Sequence, residues 1–102
     1  MEDSTTSSKP FRVRLLISGL VQGVGYRYST VRQAQKYGIK GWVRNLDDGR
    51  VEAWLEGDRA AVDRVVQWCH QGPPGAKVRE VRLIDESLSS QPIMTTFEVR
   101  RD

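Results

Sequence analysis

Two alternating segments in the middle of the chain constrain its fold more than any other feature. In residues 39–45 and 50–56, apolar and polar side chains alternate, as they do in strands with one buried face. The Asp-Asp-Gly sequence at 47–49 suits a three-residue hairpin loop with its glycine at positive φ. A loop of this length places Trp42 opposite Trp54. The sequence therefore predicts a central antiparallel hairpin in that register.

The segment before this hairpin has the pattern of a strand followed by a helix. Residues 11–18 alternate at first and then become continuously apolar, as in a central strand. Tyr28, Val31 and Ala34 recur at helical spacing. Gly38 stands where a residue in the left-handed conformation would end this helix. We therefore expect a strand, a glycine-containing loop and a helix, in this order.

The segment after the hairpin has the pattern of a helix followed by two strands. Asp58 can cap the helix, and the Gly-Pro-rich residues 71–75 end it. Its apolar stripe comprises Ala61, Val62, Val65, Val66, Trp68 and Cys69. In the strand over residues 76–85, the apolar positions change parity, which predicts a bulge near Arg79–Glu80. A short final strand is expected near residues 95–100.

The resulting order of elements, βαββαβ with a short extra C-terminal strand, is that of ferredoxin-like α+β folds. We expect an antiparallel sheet with both helices on one face. The first two strands would run parallel to each other, so the glycine-containing loop and Asn45 would meet at one edge of the sheet. The length suits one domain over residues 10–102. The polar residues 1–9 are expected to form a disordered tail.

The composition excludes several kinds of chemistry and location. Cys69 and His70 are the only residues of their types, which excludes an intrachain disulfide and a cysteine zinc cluster and disfavours a Ser–His–Asp triad. No apolar run approaches the ~20 residues that cross a bilayer, and the N-terminus lacks the apolar core of a secretion signal. We therefore expect a cytoplasmic monomer without membrane association. The net charge of +3 permits small anions or nucleic acid as partners.

Three glycines lie between the first strand and the first helix, directly before Arg27: Gly19, Gly23 and Gly25. Glycines allow successive backbone N–H groups to converge on an anion, and a helix N-terminus adds further donors. The Arg27 guanidinium could bind two phosphate oxygens at once. A Walker motif counted from Gly19 fails at Val24, and a dinucleotide motif counted from Gly23 fails at Tyr28. Two interpretations remain: an anion site, or a tight turn beside a solvated arginine.

Two short motifs resemble the signatures of the acylphosphatase family. Val-Gln-Gly-Val-Gly-Tyr-Arg at 21–27 is similar to the first signature, with Tyr26 where phenylalanine is usual. Gly-Trp-Val-Arg-Asn at 41–45 matches the second in full, and Gly49, Val51 and Gly57 follow at the expected spacings. The resemblance extends over residues 11–100.

This resemblance implies hydrolysis of acyl phosphates to a carboxylate and inorganic phosphate, without a metal or an organic cofactor. It assigns phosphoryl binding to Arg27 and positioning of the attacking water to Asn45. The implied phosphate-binding residues are Gln22, Gly23, Val24, Gly25, Tyr26 and Arg27. The implied partners are a small acyl phosphate and its phosphate product, with no nucleic acid.

The chemistry is compatible with so few functional groups. The conjugate acid of the leaving carboxylate has a pKa of about 4, so the group departs without a proton and needs no general acid. Asn45 is neutral and can orient water without repelling the phosphate. A purely local role for Asn45 in the turn stays open.

Two other functions are also considered. The first is RNA binding on the sheet face, because Lys40-Gly41-Trp42 resembles the start of an RNA-binding signature, although the residues that follow depart from it. The second is a regulatory domain that binds an anion without turnover.

Overall fold

The structure is a computed structural model that describes residues 10–88 and 94–101. Its elements, in chain order, are β1 (Phe11–Leu20), α1 (Tyr26–Lys36), β2 (Lys40–Asn45), β3 (Val51–Gly57), α2 (Arg59–Gln71), β4 (Lys77–Leu88) and β5 (Phe97–Val99). This is the predicted order. The expected N-terminal tail lies outside the described residues. Within them, neither helix is long and apolar enough to span a membrane.

The strands form one sheet in the order β4-β1-β3-β2-β5. β1 pairs antiparallel with β3 and β4, and β3 pairs antiparallel with β2. The short strand β5 runs parallel to β2, so the sheet is mixed and the expected antiparallel pairing holds only for the four longer strands. β1 and β2 run in one direction, and β3 and β4 run in the other. β5 runs opposite to β4 and so has the direction of its neighbour β2. The ferredoxin-like α+β fold is confirmed.

The central hairpin has the predicted register. Trp42 lies opposite Trp54, and Asn45 lies opposite Val51. The two indole rings are 6.0 Å apart between centroids, which is typical of a cross-strand aromatic pair. Because β1 and β2 are both antiparallel to β3, they end at the same edge of the sheet.

The hairpin loop is also as expected. The Leu46 N–H donates to the Arg50 carbonyl at 2.8 Å, which leaves three residues in the loop, and Gly49 has φ +97°. Asp48 accepts hydrogen bonds from the Arg50 backbone N–H at 3.1 Å and from its guanidinium Nε at 2.8 Å. The bond from the Arg50 side chain lowers the pKa of Asp48. Asp48 therefore acts as a turn former, as its position suggested.

Both helices pack on one face of the sheet, and their contacts with it form the hydrophobic core. The buried residues of α2 are Val62, Val65 and Cys69, within the predicted stripe. Those of α1 are Tyr26, Thr30 and Ala34. Tyr28, the first residue of the helical pattern noted in the sequence, is 66% exposed and does not belong to the core. The core instead accepts Thr30, because its hydroxyl donates to the Tyr26 carbonyl at 2.8 Å, a bond that apolar spacing cannot predict.

Two details of the remaining elements refine the predictions. In β4, Arg79 is an extra residue between the pairs that Ser18 and Gly19 form, which confirms the predicted bulge. A second irregularity lies between the partners of Arg14 and Leu15 and was not expected. Asp58 occupies the expected N-cap position of α2, but its side chain does not make the expected capping hydrogen bond.

Candidate active site

One cavity of about 230 Å³ lies where β1, α1, β2 and β5 meet. It is lined by Val21, Gly23, Gly25, Tyr26, Arg27, Tyr28, Asn45, Val99 and Arg101. The fold therefore brings the two predicted catalytic residues, Arg27 and Asn45, to one cavity, together with three residues of the predicted phosphate-binding loop. Gln22 and Val24 do not line it.

The glycine-containing loop enters α1 in a conformation that favours glycine. Gly23 and Gly25 have φ values of +77° and +80°, and a Cβ atom at either position would meet nothing within 4 Å. Backbone conformation, not lack of space, therefore requires glycine at these two positions. Gly25 is the N-cap of α1, and no side chain caps this end.

The start of α1 is rich in free hydrogen-bond donors. Its first backbone bond runs from the Ser29 N–H to the Gly25 carbonyl at 3.0 Å. The amides of Tyr26, Arg27 and Tyr28 precede this bond and have no acceptor in the helix. The first turn contains no acidic residue that would occupy them. This end of α1 can therefore donate to an anion in the cavity.

Arg27 lies in this first turn, half-buried, beside the positive end of the helix dipole. Among the residues that the structure describes, none forms an ion pair or a side-chain hydrogen bond with it. A cation at a helix N-terminus is locally unfavourable unless an anion binds there. The position of Arg27 is therefore better explained by a ligand than by helix stability.

Gln22 connects the loop to the hairpin. Its side-chain amide Nε2 donates to the carbonyls of Leu46 and Arg50, at 2.8 and 2.9 Å. These carbonyls flank the hairpin loop directly after Asn45. The Gln22 side chain thus holds the end of β2 against the loop, and only its backbone N–H remains for the predicted role in phosphate binding.

Tyr26 anchors the loop to α2. Its side chain is 1% exposed, and its hydroxyl donates to the Cys69 carbonyl at 2.7 Å. Burial raises the pKa of Tyr26 above its ordinary value. A Cβ atom at Gly72 would lie 2.8 Å from the tyrosine ring, so the turn after α2 leaves room for it. Val24 likewise packs against the core. Both residues can contribute to phosphate binding only through their backbone.

Asn45 ends β2 with its side chain half-buried. Its amide oxygen Oδ1 is inaccessible to solvent and accepts no hydrogen bond from any described residue. A local role in the turn would give this oxygen a backbone partner, so that interpretation is disfavoured. An unpaired buried acceptor costs about 1–3 kcal/mol, so the placement of Asn45 at the cavity is not explained by local hydrogen bonding.

Val99 and Arg101 line the cavity from the C-terminal strand, and sequence analysis did not identify them. The final strand was expected, but its parallel pairing with β2 was not. That pairing places Val99 beside Val43 and brings the following residues to the same sheet edge as Asn45. Arg101 adds a second cation to the lining.

The ferredoxin-like fold, with Arg27 and Asn45 lining one cavity at the same sheet edge, places the chain in a class of small α+β proteins with a candidate site between a glycine-containing loop and a strand end. The model of the acylphosphatase family matches residues 13–99. The chain therefore belongs to the acylphosphatase family, as its two motifs predicted.

Relatives and solved structures agree with this assignment. An acylphosphatase of Trichormus variabilis is 50% identical over 101 residues, which cover 99% of this chain and 97% of the relative. The crystal structure of the acylphosphatase from Bacillus subtilis has a TM-score of 0.82 and 37% identity, covering 88% of this chain and 98% of that one. The acylphosphatase structure from Coxiella burnetii has a TM-score of 0.81 and 31% identity, covering 94% and 100%.

Proposed function

We propose that this member of the acylphosphatase family hydrolyses acyl phosphates by binding the phosphoryl group with Arg27 and the loop amides while Asn45 positions the attacking water. One observation carries the proposal: Arg27 and Asn45, 18 positions apart in the sequence, line the same cavity. The products are a carboxylate and inorganic phosphate.

Phosphoryl binding requires donors directed at the three phosphoryl oxygens. The Arg27 guanidinium offers a planar pair of N–H groups, and the free amides at the start of α1 offer further donors. The backbone N–H groups of residues 22–26 complete the proposed phosphate-binding loop. Such fixed donors stabilise the charge of the transition state without reorganising during the reaction.

The attacking water requires an acceptor that is not itself charged. Asn45 lines the cavity, and its neutral side-chain amide can hold a water by hydrogen bonds and orient it towards phosphorus. A carboxylate at this position would repel the substrate dianion. Because the carboxylate leaving group has a conjugate acid with a pKa of about 4, positioning and charge stabilisation are sufficient for the reaction.

The proposal extends to a monomer that acts alone on a small substrate in the cytoplasm. The relatives and structures described above favour neither the RNA-binding nor the regulatory alternative.

The test is hydrolysis of benzoyl phosphate in the presence of EDTA by the wild type and three variants. We expect Arg27→Ala to lower kcat/KM by about 10²–10³-fold, the usual effect of losing one oxyanion donor. We expect Asn45→Ala to lower kcat to a similar extent while inorganic phosphate still inhibits at the wild-type concentration. Arg64→Ala, an arginine of α2 beside Tyr37, is the matched control and should retain activity. Wild-type turnover by Asn45→Ala would refute the role of this residue in positioning water.

A further inference from the structure

A second cavity, of about 380 Å³, adjoins the proposed phosphate site. It lies between α1 and the end of α2, and its walls include Tyr28, Arg32, Trp68 and the two prolines Pro73 and Pro74. We refer to it as the helix groove. Tyr28 lines both this groove and the cavity that contains Arg27 and Asn45, so the two spaces are neighbours at this residue.

The exposed position of Tyr28 is not explained by packing. Its side chain is 66% exposed although it is a large aromatic residue. Arg32, one helical turn further along α1, places its guanidinium carbon 5.9 Å from the centre of the Tyr28 ring. The Tyr28 ring and the Arg32 guanidinium therefore lie side by side, next to the cavity that contains Arg27 and Asn45.

The in-line geometry of phosphoryl transfer indicates which part of the substrate the helix groove would contact. The attacking and leaving oxygens lie roughly in line on opposite sides of phosphorus. In the proposed mechanism the water is held by Asn45, which belongs to the sheet. In-line geometry then directs the leaving acyl group away from Asn45 and the sheet. The described residues that line the helix groove belong to the two helices and to the turn after α2.

The charge of the groove indicates which acyl groups it accepts best. Arg32 is the only charged residue that lines it among the residues described, and the other polar side chains there are neutral. Tyr28, Trp68 and the prolines offer apolar surface to a hydrocarbon chain. We infer that the helix groove receives the acyl part of the substrate, and that Arg32 favours acyl groups with a negatively charged end. This inference rests on the proposed function, because it assigns the leaving group of that reaction.

Two substrates with the same chain length separate this effect from phosphate binding. Succinyl phosphate has a terminal carboxylate, and butyryl phosphate has a neutral methyl group in the corresponding place. We expect Arg32→Gln to lower the ratio of kcat/KM for succinyl phosphate to kcat/KM for butyryl phosphate by about two- to fivefold, the range for one exposed ion pair. The change should be mainly in KM for succinyl phosphate, and kcat/KM for butyryl phosphate should stay at the wild-type value.

Arg64→Gln is the matched control. Arg64 also lies beside a tyrosine ring, with its guanidinium carbon 5.8 Å from the centre of the ring of Tyr37, the residue directly after α1, but it lies outside the helix groove. Its replacement removes the same charge and should leave the substrate ratio unchanged. In the wild type, raising the salt concentration should reduce the preference for succinyl phosphate, as screening requires.

Failure of the inference differs from failure of the proposed function. If the wild type hydrolyses neither substrate, the proposed function is wrong. If the wild type hydrolyses both, but Arg32→Gln and Arg64→Gln leave the ratio unchanged or lower it equally, the proposed function stands and the role of Arg32 is refuted.

Discussion

At the residue scale, Tyr26 shows how one additional oxygen atom can connect the active-site loop to a helix. α2 ends at Gln71, so the Cys69 carbonyl is among the last four carbonyls of the helix, which have no donor within it. The Tyr26 hydroxyl donates to this carbonyl at 2.7 Å. Phenylalanine, which is usual at this position in the first motif, would fill the same space but leave the carbonyl unpaired.

We therefore expect Tyr26→Phe to lower the free energy of unfolding by about 1 kcal/mol, the usual net contribution of one hydrogen bond, with kcat/KM almost unchanged. Urea denaturation followed by tryptophan fluorescence measures the free energy of unfolding, and hydrolysis of benzoyl phosphate measures kcat/KM. Tyr28→Phe is the control, because Tyr28 is exposed and its replacement should not alter stability. A loss of activity in Tyr26→Phe without a loss of stability would contradict this explanation.

Gln22 is a positioning residue on the same scale. Its side chain bonds to the carbonyls of Leu46 and Arg50, and its own backbone N–H is unaffected by substitution. Gln22→Met keeps the side-chain length and removes both bonds. We expect kcat to fall by about tenfold with a smaller change in KM, because about 1 kcal/mol per lost bond would loosen the strand end that carries Asn45. A change in KM alone would instead indicate that the Gln22 side chain binds substrate.

At the element scale, the glycine-containing loop presents backbone donors only in one conformation. Gly25→Ala should lower stability by about 1–2 kcal/mol, the cost of a left-handed L-residue, although the new methyl group meets no neighbour. The same change should lower kcat/KM, because relief of the strain turns the amides of the loop away from the phosphate. Gly75→Ala is the control: its Cβ atom would lie 3.6 Å from Val24, an ordinary contact, and no positive φ is involved. Equal kinetics for the two variants would refute the role of the loop.

The sequence predicts an element well where local pattern and geometry agree. The hairpin register followed from the alternation and from the loop length at 47–49, and the bulge at Arg79 from a change of parity. The sequence could not predict Thr30 in the core, because its burial depends on a hydrogen bond to the backbone. It also could not predict the partner of β5 or the contacts of Gln22, because both depend on residues far away in the chain.

The active site likewise contains residues with a local sequence signal and residues that only the tertiary structure brings to it. Arg27 and Asn45 were identified because their two motifs resemble the acylphosphatase signatures, whereas the residues alone left a solvated arginine and a local turn role open. Val99 and Arg101 have no such local signal, and only the parallel pairing of β5 with β2 brings their segment to the cavity.

At the scale of the whole molecule, stability should depend on pH in the alkaline range. Burial raises the pKa of the Cys69 thiol from 9.0 to about 12, and burial also raises the pKa of Tyr26. The unfolded chain therefore loses these protons at lower pH than the folded protein. The corresponding stability is complete below about pH 9 and is lost as the pH rises towards the folded values.

Urea denaturation at about pH 8, pH 9.5 and pH 10.5 measures this dependence. The free energy of unfolding should fall across the series. Cys69→Ala should be less stable at every pH, but its free energy of unfolding should fall less steeply with pH, because it has no thiol to titrate. A wild-type stability that is constant to pH 10.5 would contradict the effect of burial on these two groups.

The short strand β5 is the part of the sheet that we expect to open first, with loss of activity. Among the described residues, its ladder with β2 comprises three residue pairs at the outer edge of the sheet, yet this segment supplies Val99 and Arg101 to the cavity. Edge segments with few backbone bonds open at a lower free energy than central strands. Partial denaturation should therefore abolish turnover while the far-ultraviolet circular dichroism of α1 and α2 still reports a folded domain. Activity and circular dichroism, followed together in increasing urea, would separate into two transitions, with catalysis failing first.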